Sequence, residues 1–155
     1  MSLLESDLRQ KLFGKVVIVG IGNVLKGDDA VGPLLASRLN NRIRAIVIDA
    51  GTVPENFLHP IINAKPDSVV LFDSVVFDAV PGTIKIFPPG DLPVSHFSTH
   101  GMSLSLFIEQ LISHGIANVL LVGIQPEQIR LGSKLSPAMK KALTELENIL
   151  LSILG

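Results

Sequence analysis

Residues 16–33, VVIVGIGNVLKGDDAVGP, restrict the chain to a narrow set of folds. Residues 16–19 are apolar without alternation, and a strand apolar on both faces belongs in a sheet covered on both sides. Gly20-Ile21-Gly22-Asn23 ends the run, a short loop closes on Gly27, and two acids, Asp28 and Asp29, follow. Helical spacing begins next, with Val31, Leu34, Leu35 and Leu39 on one stripe and Arg38 its polar member. Pro33 must lie in the first turn of that helix. The stretch is therefore a central strand, a glycine loop and a helix start, with two carboxylates at the junction.

The rest of the chain repeats the alternation. Ser2-Leu3-Leu4-Glu5 has the form of a capping box, and Leu4, Leu8 and Leu12 follow at helical spacing, so residues 1–14 form an N-terminal extension helix. Strands are expected over 15–21, 43–50 and 68–75, with a helical turn or a little more between Pro54 and Pro60. Pro81-Gly82 marks a turn, and 83–87 alternates as a half-buried strand should. The link from the third strand is too short for a helical crossover, so these two strands are expected to pair antiparallel. A helix over 101–113 ends at His114-Gly115, a strand covers 118–124, and a polar loop covers 125–135. Ser136-Pro137 then supplies an N-cap and a first-turn proline for a last helix striped by Met139, Leu143, Leu146, Ile149 or Leu150, and Ile153. The expected fold is a three-layer α/β/α sandwich on a twisted, mostly parallel mixed sheet of about five strands. Residues 1–155 would form a single domain.

Composition narrows the chemistry. The chain has no cysteine, which removes disulfides, a thiol nucleophile and thiolate metal ligands. Any metal must be held by His, Asp, Glu or backbone oxygen of this chain, alone or with ligands lent by a partner. Net charge is −1 without a basic block, so nucleic acid and acidic membrane surfaces are not expected partners. The N-terminus lacks the plan of a signal peptide, and no apolar run reaches the ~18 residues of a membrane span. The expected location is the cytoplasm.

In open α/β sheets, ligands bind beyond the carboxyl ends of the strands. Asp28, Asp29, Asp49 and Asp73 all fall at those ends. A dinucleotide site is disfavoured, because Leu25 replaces the last glycine of G-x-G-x-x-G and two acids would repel a pyrophosphate. Asp28 is expected to cap the following helix, and one cap suffices, which leaves Asp29 free. Asp73 interrupts an apolar strand, VVLFDSVV, and is costly there unless hydrogen-bonded, paired or bound to metal. His100, just after Ser98-Thr99, is either a first-turn residue near a Thr cap or a ligand brought over the strand ends. His59, His96 and His114 read as loop and helix-end residues. Two carboxylates and an imidazole would suit an open site for a divalent transition metal.

These blocks resemble those of the [NiFe]-hydrogenase maturation endopeptidases. The likeness runs through Gly20-Ile21-Gly22-Asn23, Gly27-Asp28-Asp29, Asp49-Ala50-Gly51-Thr52, Pro54-Glu55-Asn56, Asp73, Ser98-Thr99-His100 and Gly123-Ile124-Gln125-Pro126. The last blocks are most similar to the branch serving hydrogenase-3 (formate hydrogenlyase) enzymes. Ala30 stands where many relatives have Gly. Carried over by position, the resemblance implies metal binding and catalysis by Asp29, Asp73 and His100. It implies a peptidase, aspartic-type or metal-dependent, that removes the C-terminal extension of the hydrogenase large-subunit precursor. The nickel would be supplied by the precursor, whose cysteines hold it, and the same ligands would also accommodate other divalent metals. Gln125-Pro126 and the loops 53–59 and 88–97 would shape the substrate groove. Two other readings use the same residues: a maturation chaperone that senses nickel without cutting, and a peptidase of this fold acting on another protein.

Overall fold

A computed structural model of the chain describes residues 1–93 and 102–155. The elements follow the expected alternation: α1 (Leu3–Lys11), β1 (Val16–Ile21), α2 (Val31–Leu39), β2 (Ile46–Gly51), α3 (Leu58–Asn63), β3 (Ser68–Ser74), β4 (Ile84–Phe87), α4 (Leu104–Ser113), β5 (Asn118–Ile124) and α5 (Pro137–Leu154). Short 3-10 helices at Gly27–Ala30 and Pro54–Phe57 lead into α2 and α3. The five strands form one sheet in the order β2-β1-β3-β5-β4. All pairs are parallel except β4 with β5.

Strand parity divides the core in two. Ile18, Phe72 and Val122 face Leu8 of α1, Val31 and Leu35 of α2, and Met139, Leu143 and Leu146 of α5. Val19, Leu71 and Leu121 face Ile61 of α3 and Phe107, Ile108 and Leu111 of α4. Helices thus cover both faces, giving the three-layer α/β/α sandwich. Every residue of β1 and β3 is buried, as their unbroken apolar runs require. Arg38, the polar member of the α2 stripe, lies at its margin and bonds Glu147 of α5 at 3.1 Å, beside Arg42 at 2.7 Å.

Three local expectations are corrected. β4 does not pair with β3; it lies antiparallel against β5 at the sheet edge. The β3–β4 link steps over the end of β5, held by Val75 N–H to the Ile124 carbonyl at 3.0 Å and Gly82 N–H to the Gln125 carbonyl at 2.8 Å. β5 is apolar on both faces and so takes the interior place, while the alternating β4 suits an edge. β2 starts at Ile46 rather than residue 43, because the Arg44 N–H is turned to the Leu154 carbonyl at the end of α5. α4 starts at Leu104 with Ser103 as its N-cap, accepting the Leu106 N–H at 3.1 Å, so the cap is not Thr99.

The N-terminal helix is docked. Ser2 caps it by accepting the Glu5 N–H at 3.1 Å, Leu8 is fully buried, and Arg9 reaches Ser152 of α5. No helix among the described residues is long and apolar enough to cross a membrane.

Candidate active site

The parallel strands β1, β3 and β5 deliver their carboxyl ends to one edge, where the acids collect. Asp73 is the penultimate residue of β3, opposite Gly123 of β5. Its parity places its side chain on the α3–α4 side, with Leu71 and Val75. Ser74, of opposite parity, turns toward the layer containing α2. Asp29 lies there, in the 3-10 helix that precedes α2.

Asp29 is half-buried and held from two sides. One carboxylate oxygen accepts the Ser74 hydroxyl at 2.5 Å, and the other accepts the Asn23 N–H at 2.7 Å. Gly22 permits this approach. Its φ is +149°, and a Cβ there would stand 1.9 Å from the Asp29 carbonyl oxygen. Only glycine serves at that point. Each Asp29 oxygen keeps a lone pair for a further partner.

Asp73 is fully buried, and neither carboxylate oxygen has a hydrogen-bond partner among the described residues. Burial, and then the neighbouring Asp29 charge, push its carboxyl well above the usual carboxylate range. The Ser74 backbone N–H opposes this shift without forming a well-aligned hydrogen bond. No ion pair to Asp29 or Asp73 exists among the described residues. Two neighbouring acids, one of them without a donor among the described residues, form a pair that a cation would stabilise.

Among the described residues, no three ligating side chains form a metal-binding group. His100, expected as the third member with Asp29 and Asp73, lies outside the described residues, as does His96. The donor chemistry of the two acids fits a divalent ion: among the described residues their carboxylate oxygens are bare or half-satisfied and meet no competing cation.

The other acids at this edge have different roles. Asp28 does not cap α2. Its fully buried carboxylate accepts the Glu127 N–H at 2.8 Å, the Ser136 N–H at 2.7 Å and the Ser136 hydroxyl at 2.7 Å. The first turn of α2 follows directly from the 3-10 helix and uses no side-chain cap. Asp49 is exposed and accepts the Gly51 N–H at 3.1 Å, a turn contact. Glu55 has one buried carboxylate oxygen without a partner among the described residues. His114 caps α4 as expected, with its ring Nδ1 2.7 Å from the Gln110 carbonyl oxygen.

Two further side chains shape the edge. Ser74 orients Asp29, and strand parity was the available signal, since the residue after Asp73 must face the layer where α2 begins. Gln125 is buried, and its side-chain carbonyl accepts the N–H groups of Phe77 at 2.8 Å and Ala79 at 3.3 Å. It fixes the loop leaving β3 just after the acids.

Comparison with known proteins bears on the family and the fold. The chain is 32% identical over 130 residues to the hydrogenase 3 maturation protease of Escherichia coli, covering 82% of this chain and 83% of that protein. The crystal structure of a [NiFe] hydrogenase maturation protease HycI from Thermococcus kodakarensis superimposes with a TM-score of 0.85 at 30% identity, covering 95% and 97% of the two chains. The hydrogenase maturating endopeptidase HybD of E. coli shares the fold, with a TM-score of 0.69 at 24% identity over 86% and 90% of the chains. The model of the hydrogenase maturation protease family matches residues 30–153, starting directly after Asp29. On fold, sequence and extent of match, the chain belongs to the hydrogenase maturation protease family.

Proposed function

We propose that the chain is a cytoplasmic endopeptidase that removes the C-terminal extension of a nickel-loaded [NiFe]-hydrogenase large-subunit precursor. The observation that carries this reading is Asp73: a buried carboxylate whose two oxygens have no partner among the described residues, next to an Asp29 that is oriented by Asn23 and Ser74 and has no ion pair among those residues. Such a pair is maintained against its own electrostatic cost, and a metal borne by the substrate would relieve that cost. Asp29, Asp73 and His100 are the proposed ligands and catalytic groups. The absence of cysteine fits a nickel whose thiolates belong to the precursor.

The chain's part in the reaction follows from the two environments. Asp29, half-exposed and braced by Asn23 and Ser74, is placed to meet the incoming peptide. Asp73, behind it, is held toward its neutral form until a cation arrives. Binding then requires its proton to leave, so metal engagement strengthens as pH rises through its raised pKa. Once ionised, either carboxylate can serve as general base toward an attacking water, while the other keeps the peptide in place. Asp29, Asp73 and His100 would hold the nickel, which would supply polarisation of the scissile carbonyl.

Turnover separates this reading from a chaperone that binds the loaded precursor without cutting. With the protein substoichiometric to nickel-loaded precursor, mass spectrometry is expected to find the whole precursor pool shortened. Full-length precursor in a one-to-one complex would overturn the proposal.

A further inference from the structure

The sequence places two acids side by side, and the structure gives them opposite attachments. Asp29 is bonded toward the end of β3 and the loop after β1, through Ser74 and Asn23. Asp28 is bonded the other way, to the loop between β5 and α5. Both of its oxygens are used there: one accepts the Ser136 N–H, the other accepts the Ser136 hydroxyl and the Glu127 N–H. Its own N–H donates to the Gln128 carbonyl at 3.0 Å. The same two loops meet again where the Gly132 N–H donates to the Leu25 carbonyl at 2.8 Å. Gly27 allows this contact: its φ is +53°, and a Cβ would stand 2.2 Å from the Ser133 Oγ.

We infer that Asp28 is a positioning residue for Asp29, acting by clamping the β5–α5 loop onto the turn that carries both acids. The inference rests on the proposed role of Asp29. The two residues share a single turn of 3-10 helix that has no side-chain cap of its own. With adjacent side chains fixed to opposite walls, a shift of one carries the other with it. Reaction geometry is sensitive to displacements of about 1 Å.

The clamp needs a carboxylate. Three donors converge on two oxygens, and two of them are backbone N–H groups that cannot turn away. In Asp28→Asn one oxygen becomes an NH2 group, so whichever way the amide is placed, one backbone N–H loses its acceptor.

The test is Asp28→Asn, read by NMR and by kinetics. The Asn23 amide is bonded to Asp29 and reports where that carboxylate lies. Its resonance is expected to move toward its position in Asp29→Asn, and kcat for precursor processing to fall about 10–100-fold, the range for residues that orient a metal ligand. Should Asp28→Asn fail to fold, Ser136→Ala removes the hydroxyl, which also accepts the Met139 N–H at the start of α5, and leaves both backbone contacts to Asp28. It is expected to shift the Asn23 amide in the same direction, by less. The inference is overturned if the Glu127 and Ser136 amides exchange faster while the Asn23 resonance and kcat stay at wild-type values. The Asn23 readout needs no substrate, so it decides the positioning role even if the protein proves not to process a precursor.

Discussion

Asp73→Asn is expected to abolish precursor processing while making the metal-free protein more stable at neutral and alkaline pH. Loss of groups that merely orient a ligand costs about 10–100-fold, so loss of a ligand itself should exceed about 100-fold. The gain in stability comes from the same isolation that makes the residue useful. Asp73 is fully buried, both oxygens lack partners among the described residues, and its pKa is raised by burial and by Asp29. A carboxyl whose folded pKa lies above its unfolded value binds its proton more tightly in the folded state. Its stabilising contribution is complete below the unfolded value of about 3.9 and is lost as pH rises through the folded pKa. Wild-type stability in chelator should therefore decline across that window, and Asp73→Asn should remove this part of the decline. At the upper end the variant should be the more stable, because the buried site no longer has to carry a charge. Urea denaturation of both proteins from acid to mildly alkaline pH measures this. A variant equally pH-dependent, or one that still shortens precursor, contradicts the account.

Asp29→Asn should also cost more than about 100-fold in processing, with little change in fold. The amide oxygen can still accept the Asn23 N–H, and the amide nitrogen can donate to Ser74 Oγ, so both braces survive in altered form. What is lost is the charge. Removing it also removes one of the two causes that raise the Asp73 pKa, so that pKa should move down. Ser74→Ala leaves the charge and removes one brace, and its loss should stay nearer 10-fold. Single-turnover rates on one preparation of loaded precursor rank the three proteins. An Asp29→Asn rate above that of Ser74→Ala would show that the Asp29 charge is not what the reaction uses.

These effects concentrate on residues whose legibility in the sequence differed for physical reasons. Asp73 was legible because a carboxylate in an otherwise apolar strand needs an explanation. β1 and β3 were legible because runs apolar on both faces have one stable placement, the interior of a covered sheet. Ser136-Pro137 was legible because a cap and a first-turn proline are local chemistry, and the structure has Ser136 accepting the Met139 N–H at 3.2 Å. Asp28 was misread for the opposite reason. Its partners lie 99 and 108 residues along the chain, and nothing local distinguishes a helix cap from a clamp on a distant loop. The partner of β4 was misread because loop length limits how strands can connect without fixing which strand is nearest. The apolar symmetry of β5 carried that information. The nearness of Asp29 to Asp73 follows from the fold: β1 and β3 run parallel and side by side, Asp73 lies at the end of β3, and the 3-10 helix that follows β1 brings Asp29 back to that edge.

Nickel dependence tests the central claim most directly. One precursor preparation is divided, half loaded with nickel and half kept nickel-free in chelator. Each half is mixed with substoichiometric protein and followed by mass spectrometry. The account predicts a shortened product from the loaded half alone, because Asp29 and Asp73 are completed by an ion that the substrate carries. Equal cleavage of both halves would contradict it, and would mean that the acid pair acts on the peptide without the metal.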